Sequence, residues 1–421
     1  MAAHDRTLPD STICVIAGCG PAGAMLGLLL ARAGVDVVVL EKHPDFFRDF
    51  RGDTVHASTL QILDDLDLTE AFARVPQQRT TRINLMTDDG MTAMGDFTEL
   101  PGRFRYLSMV PQWDFLSFLT AEAARYPGFS LHREVEVTGL VEDGHGVVRG
   151  LRCRTAAGEE EIRADLVVAA DGRSSATRAA AGLVTTEYGS PLDVLWYRVS
   201  RAAGDPSGTL LRIAPGGLFP MIDRGTYWQG AHTVPKGGFA QLRARGIEEF
   251  RATLRTYLPF LGDRVEEVDW DGVGFLEVQV NRLVSWSRPG LLCIGDAAHA
   301  MSPVGGVGIN LAVQDAVAAA NILAGPLLDG RVRPADLRAV QRRRELPTRL
   351  TQRLQLGMQR SMIGSMQADR TRVPLPMRLA TRYRPVRRVV SRFLALGVRN
   401  ERVRTAAAPL AAAVPDVAPS T

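Results

Sequence analysis

The sequence predicts an α/β protein: a Rossmann-like nucleotide-binding domain, interrupted by a mainly antiparallel β insertion and followed by a helical C-terminal segment. Two loops carry this prediction. The first is Gly18-Cys19-Gly20-Pro21-Ala22-Gly23, which follows the apolar run Ile13–Ala17 and opens an apolar helix that stops at Gly34. A second apolar strand runs over Val35–Leu40, and Glu41 sits at its end. Glycine here permits a tight turn, close approach of a pyrophosphate and close helix–strand packing, and a terminal acid suits a ribose hydroxyl pair. The second loop lies far downstream. Leu291–Ile294 reads as a short buried strand ended by Gly295-Asp296, after which Pro303, Gly305, Gly306 and Gly308 lead into an alanine-rich helix starting near Ile309-Asn310. A glycine-rich turn entering a helix offers free N–H groups and the positive end of the helix dipole, a site for negative charge. One such loop is weak evidence; two in one chain, the first with strand, helix, second strand and acid in order, predict a dinucleotide site.

Composition narrows the class. The chain has 421 residues, 46% of them hydrophobic, enough for one large core or two joined ones. A net charge of +4 is small for this length and argues against a nucleic-acid partner. Lys42 and Lys236 are the lysines; the remaining positive charge is arginine. Cys14, Cys19, Cys153 and Cys293 lie in or beside predicted strands without a CxxC pair, so reduced buried thiols and no metal site are expected. The N-terminus lacks an apolar signal core, and no uninterrupted apolar stretch reaches the ~18 residues of a span. A cytoplasmic protein without membrane association is the expectation, and a homodimer stays open.

Between the two loops the pattern turns to strand. Thr81–Met86 and Met91–Phe97 alternate around Asp88-Asp89-Gly90, a hairpin signal. Trp113–Arg125 has helical spacing, and Leu131–Cys153 suggests antiparallel strands turning at Gly144-His145-Gly146. Ile162–Ala170 is an apolar strand ending at Asp171-Gly172, and Val194–Val234 is strand-rich with turns at Pro215-Gly216-Gly217 and Asp223-Arg224-Gly225. Helix returns at Ile247–Leu258 before a last strand region over Val273–Val284. The division that follows is a discontinuous nucleotide domain (11–75, 108–183 and 286–332), a substrate domain (76–107 and 184–285), a helical segment (333–405) and a disordered tail (406–421). In the helical segment Leu350, Leu354, Met358, Met362 and Met366 form an apolar stripe expected to pack on the body of the protein.

Three signatures stand in order: G-C-G-P-A-G at 18–23, D-L-V-V-A-A-D-G-R-S-S-A-T-R at 165–178, and G-D-A-A-H…P-V-G-G-V-G-I-N at 295–310. Over roughly residues 11–330 the chain resembles the para-hydroxybenzoate hydroxylase family of single-component (group A) FAD monooxygenases. The resemblance implies a FAD-binding domain of the glutathione reductase type. It implies NADH or NADPH as transient reductant, and hydroxylation of an aromatic or polyketide-like molecule with O2 through a flavin C4a-hydroperoxide. It places Gly18, Gly20, Pro21, Ala22, Gly23, Glu41 and Lys42 at the adenosine and pyrophosphate end, and Arg51 and Gln112 at the phosphate and ribityl region, with Arg48 a weaker candidate. Asp171 is associated with both nucleotides. Asp296 is implied to bond the ribityl chain, with Pro303, Gly306, Gly308, Ile309 and Asn310 around the isoalloxazine. Val307 departs from the family, where a polar residue is common between the glycines.

The substrate wall is expected from Phe219, Met221, Tyr227, Trp228 and His232 with Trp196 and Tyr197, the strand period placing Tyr227 and Gln229 on one face and Trp228 and Gly230 on the other. His232, Tyr227 and His56 are the candidate catalytic side chains; His299 is expected to fix the turn beside the cradle. Two other classes are open: a flavin-dependent halogenase and a FAD-dependent reductase or dehydrogenase of the same fold. Halogenases of this fold carry a W-x-W-x-I-P segment and an active-site lysine, whereas the nearest segment here is Y-W-Q-G-A-H-T-V-P and no lysine falls between Lys42 and Lys236.

Overall fold

The computed structural model describes residues 7–47, 54–88, 90–215, 217–366 and 375–409. Its organising element is a sheet ordered Ser287–Arg288, Leu291–Cys293, Gly158–Ala169, Ser11–Ala17, Val37–Glu41, Phe129–Arg133. From Leu291–Cys293 to Phe129–Arg133 the pairings are parallel. Parallel strands buried on both faces need continuous apolar runs, and Val37–Glu41 is buried at all five positions. Glu136–Glu142 and Val148–Thr155 extend the sheet as an antiparallel meander from Gly158–Ala169. Helices Pro21–Arg32 and Gly308–Leu328 pack on this sheet and supply much of the main core.

The hairpin Arg82–Thr87 and Gly90–Asp96 does not stand alone. Arg82–Thr87 pairs in parallel with Thr209–Ala214, so both insertions form one sheet that continues through Gly217–Asp223, Tyr227–Pro235, Leu192–Ser200 and Gly274–Leu276. One face of that sheet is covered by Ile247–Tyr257 and its neighbours, in a second core built from Leu195, Tyr197, Phe219, Met221, Trp228, Phe250 and Leu254. Ile222, on the opposite face, packs against the nucleotide-domain core.

The C-terminal segment departs from expectation in two ways. The long helix Pro334–Met366 buries a polar face, not the leucine–methionine stripe: Arg344, Thr348, Thr351, Gln352, Gln355 and Gln359 are buried, while Leu354 is 49% exposed. The cause is the loop it covers. Gln352 Nε2 donates to the Asn281 and Ala300 carbonyls (2.7 and 2.9 Å), Gln355 Nε2 to those of Ser302 and Val304 (2.9 and 2.8 Å), and Gln359 Nε2 to Ser302 Oγ (2.7 Å). Buried carbonyls need donors, and an apolar stripe would take these donors from the Ser302 and Val304 carbonyls. The side chains of Met362 and Met366 lie outside the described residues.

The second departure is that helix ends at Leu396, not near residue 405, where Gly397 turns with φ +77°. The chain then straps the nucleotide domain: Glu401 N–H donates to Gln314 Oε1, Arg402 pairs with Asp65, Arg32 Nη1 donates to the Thr405 carbonyl, and Ala408 N–H to that of Arg32. Residues 406–409 thus belong to the strap; the rest of the expected disordered tail, 410–421, lies outside the described residues. Among the described residues one helix, Gly308–Leu328, is long and apolar enough to cross a membrane, and 72% of its apolar window is buried in the protein.

Candidate active site

The turn at 18–23 is built on close approaches that only glycine permits. A Cβ on Gly23 would stand 2.0 Å from the Gly18 carbonyl oxygen, and one on Gly18 (φ +94°) would stand 2.6 Å from the Ala170 oxygen. Backbone cannot yield at such distances, so the helix Pro21–Arg32 starts directly against the strand end. Pro21 occupies its first position, where a missing N–H costs nothing. Glu41 is buried, and its two oxygens accept the N–H groups of Cys19 (3.2 Å) and His43 (3.1 Å). Lys42 beside it is exposed. Gln112 is half-buried at the start of the helix Gln112–Ala123. Arg51 and Arg48 lie outside the described residues.

The Gly18 contact places the first signature against Ala170-Asp171 of the second. Asp171 is used locally: its carboxylate accepts from Ser175 Oγ and from the Thr177 N–H (3.0 Å), closing the turn into Ala176–Ala180. Two arginines of the second signature, given no role from the sequence, tie this turn to the third signature. Arg178 donates to the Ala297 carbonyl (3.1 Å) and back to that of Arg173 (2.7 Å), and Arg173 Nη2 meets Asp296 Oδ2 at 3.3 Å. The spacing D-G-R-x-x-x-x-R was visible, but the partners came from a segment over a hundred residues away. Gly295 closes the ring of contacts, since a Cβ there would stand 2.9 Å from the Ala22 side chain.

Beyond Asp296, the loop through half-buried Pro303 and Gly306 reaches the helix Gly308–Leu328. Ile309 and Asn310 are buried in its first turn. Asn310 Oδ1 accepts from the His56 N–H (3.0 Å) and from Thr59 Oγ1 (2.6 Å), so the Asn310 side chain clamps the start of Ala57–Asp65 onto the loop. His56 is 1% exposed, and its Nδ1 sits 2.5 Å from the Leu394 carbonyl. A carbonyl only accepts, so Nδ1 carries the proton and Nε2 the lone pair. Nε2 is buried without a partner among the described residues, and a Cβ on Gly306 would stand 3.7 Å from it. Burial pushes the His56 pKa down to about 4, against the opposing pull of the Leu394 carbonyl.

Behind the cradle runs a buried chain of charge. His299 Nε2 lies 2.5 Å from Asp315 Oδ2, which also accepts the Gly295 N–H (3.2 Å). Asp315 Oδ1 accepts from Arg344 Nε (2.9 Å), and Arg344 reaches Glu401 of the strap (3.4 Å). Burial pushes the Asp315 carboxyl up, but His299 and Arg344 outweigh it and hold the group below its usual range. The His299 ring therefore fixes the Gly295 turn through Asp315.

The structure does not bring His232 or most of the expected wall to this place. His232 is stacked between Phe219 (centroids 4.5 Å) and Phe250 (5.5 Å), under the helices on the far face of the second sheet. Phe219, Met221, Tyr197 and Trp228 share that core. Strand alternation separates two faces but does not say which one a helix covers. Tyr227 is half-buried at the sheet's end beneath the Arg198 guanidinium (3.9 Å), in a 380 Å³ surface cavity with Ser200 and Glu267. Of the expected wall, Trp196 is on the inner face with Ala231 and Leu356.

These features fit FAD. The helices Pro21–Arg32 and Gly308–Leu328 both start without a capping side chain and without an acid in the first turn. Their first N–H groups have no partner within the helix, and an anion is the natural complement. Gly20 and Gly308 face open space, a Cβ on either meeting nothing closer than 4.0 Å. Arg173 holds Asp296 Oδ2 and leaves Oδ1 without a partner among the described residues, an acceptor beside these helix starts.

Comparison with known proteins agrees. The family pattern for a FAD binding domain matches residues 10–354. A 6-methylpretetramide 4-monooxygenase from Streptomyces rimosus is 33% identical over 414 residues, covering 96% of this chain and 97% of that protein. In fold, a p-nitrophenol 4-monooxygenase from Pseudomonas putida superposes with a TM-score of 0.75 at 19% identity (93% of this chain, all of that one). A flavin-dependent halogenase superposes with a TM-score of 0.73 at 20% identity (93% and 74%). The halogenase likeness is one of fold alone; the likeness to the Streptomyces rimosus enzyme runs through 96% of this sequence. The chain belongs to the para-hydroxybenzoate hydroxylase-like family of FAD-dependent monooxygenases.

Proposed function

We propose that this enzyme hydroxylates an aromatic, polyketide-like small molecule, taking two electrons from NADH or NADPH and one oxygen atom from O2, the other leaving as water. The observation that carries the reading is the convergence of two uncapped, glycine-entered helix starts beside a second sheet whose inner face is free of covering helices from its own domain. The relative aligned over nearly the whole chain acts on 6-methylpretetramide, a substrate of this class.

Gly20, Ala22 and Gly23 with the first helix turn would take the pyrophosphate, Glu41 the adenosine ribose, and Asp296 the ribityl chain. The N–H groups of Gly308, Ile309 and Asn310 would face the pyrimidine edge of the isoalloxazine. FAD, when bound, supplies hydride acceptance and activation of O2. The chain's own part is to hold the ring, exclude water and orient the substrate; Arg173 steadies Asp296, and the glutamines of the long helix fix the 300–304 loop.

Burial decides the role of His56: it holds the ring well below the usual histidine range, so the ring is a weak base and a substrate phenol would keep its proton. His56 Nε2 therefore accepts a hydrogen bond rather than removing the proton. His56→Asn keeps a donor for the Leu394 carbonyl and deletes the lone pair. It should lower kcat by less than about tenfold, the scale of one neutral hydrogen bond, with FAD content and the pH–rate profile unchanged. A loss of 10²–10⁴-fold with a displaced pH profile is the signature of a general base and would overturn this role. The function itself is tested by incubating holoenzyme, NADPH and 6-methylpretetramide in air, with a product carrying one added oxygen expected; nicotinamide oxidation without an oxygenated or otherwise altered aromatic would refute the substrate class.

A further inference from the structure

Gln229 Nε2 and Trp196 Nε1, buried hydrogen-bond donors on the inner face of the second sheet, have no acceptor among the described residues. Gln229 is 1% exposed, and its Oε1 receives both Nε (3.0 Å) and Nη2 (2.8 Å) of Arg224, from the turn just before its strand. That fork fixes the amide: oxygen toward the guanidinium, nitrogen away from it. Gln229 Nε2 is buried with no partner among the described residues. On the adjacent strand the indole Nε1 of Trp196 is buried and unpartnered in the same way. Trp196 pairs with Ala231 and Arg198 with Gln229, so Trp196 and Gln229 are diagonal neighbours on one face, about 7–8 Å apart at their Cα atoms.

On the opposite face the Trp228 indole donates to Asp205 Oδ2 (2.7 Å) and the Tyr197 hydroxyl to Met221 sulfur (3.5 Å), and among the described residues Arg212 Nε there is buried without a partner while its Nη2 meets Asp88. Folded proteins pair nearly all buried donors, and an exception calls for an unseen partner. The location says which. Ile222, opposite Gln229 in register, packs on the nucleotide-domain core. Trp196 and Leu356 of the long helix pack against one buried cluster, and Gln355 and Gln359, beside Leu356, hold the loop before the cradle. The two donors thus face the junction between sheet and cradle.

We propose that Gln229 Nε2 and Trp196 Nε1 form a substrate oxygen subsite, gripping a keto, phenolic or enolate oxygen on the rim of the aromatic substrate. Arg224 strengthens it, because a cation on the amide oxygen polarises the N–H groups toward an acceptor bearing negative charge. The subsite suits a substrate already ionised, which a neutral His56 leaves unchanged. This inference rests on the hydroxylase reading and deepens it by naming the residues that select oxygen-rich aromatics.

The test is the dissociation constant of 1,8-dihydroxyanthraquinone, read from the flavin absorbance of holoenzyme. Gln229→Glu keeps the Arg224 contact but puts an acceptor where the donor was, and Trp196→Phe keeps a ring but removes the N–H. Each should weaken the probe about tenfold with FAD content unchanged. Trp228→Phe, which removes an indole donor from the opposite face, should leave the constant as in the wild type even if it lowers Tm. Wild-type holoenzyme that fails to bind the probe would overturn the substrate class and the subsite together. Tight wild-type binding matched by both inner-face variants would overturn the subsite alone.

Discussion

Replacing Asp315 by alanine should cost about 3–5 kcal/mol of stability, the range for removing one partner of a buried ion pair. Asp315 is fully buried; its loss takes from Arg344, itself 1% exposed, its 2.9 Å carboxylate partner, leaves the Arg399 carbonyl (3.1 Å) and the longer 3.4 Å contact to Glu401, and frees the His299 ring and the Gly295 N–H. Because the carboxyl lies below its usual range in the fold, its contribution is complete above the unfolded carboxylate value of ~3.9 and is lost as pH falls below it. The variant should therefore be least stable relative to wild type at neutral pH and converge with it in acid. Adding Arg344→Met should recover part of the loss, since the stranded cation goes too. Urea unfolding of the apoproteins measures both effects; an Asp315→Ala cost under about 1 kcal/mol would mean that the chain of charge is not coupled to the fold.

The glycines of the first loop should separate folding from cofactor binding. Gly23→Ala drives a Cβ into the Gly18 carbonyl at 2.0 Å. It should destabilise the apoprotein by at least the ~1–3 kcal/mol of overpacking and abolish FAD retention. Gly20→Ala behaves differently, because Gly20 has φ −72° and ψ −175°, which alanine adopts freely, and its Cβ would meet nothing closer than 4.0 Å. Its apoprotein should unfold like wild type while FAD affinity falls by one to two decades, the scale of roughly 1.5–3 kcal/mol for hydrogen bonds to a charged group. Full FAD affinity in Gly20→Ala would remove the pyrophosphate from this loop.

The parts of the site legible in the sequence are those whose chemistry is local. A glycine turn between an apolar strand and an apolar helix announces itself within a dozen residues, and Gly18–Gly23, Glu41 and the 295–310 loop form one contiguous surface. What the sequence concealed depends on distant partners. Arg173 and Arg178 read as ordinary loop residues until Asp296 and the Ala297 carbonyl are placed beside them. The long helix misleads for the same reason: its leucines and methionines recur every four residues, yet the loop carbonyls it must satisfy draw the glutamine face inward. In the second sheet alternation sorted the residues into faces correctly, but the aromatic-rich face went to the covering helices. The inner face kept Gln229 Nε2 and Trp196 Nε1, without partners among the described residues.

The proposed hydroxylase consumes reduced nicotinamide, O2 and an aromatic substrate together on one FAD-carrying chain. The direct measurement follows NADPH, dissolved O2 and hydroxylated product simultaneously, using purified holoenzyme and 6-methylpretetramide without any partner reductase. The account predicts slow NADPH oxidation alone, acceleration by substrate, and equal consumption of NADPH and O2 per product formed. Failure of both NADH and NADPH to reduce the flavin directly, or rapid anaerobic turnover with an organic electron acceptor in place of O2, would contradict it.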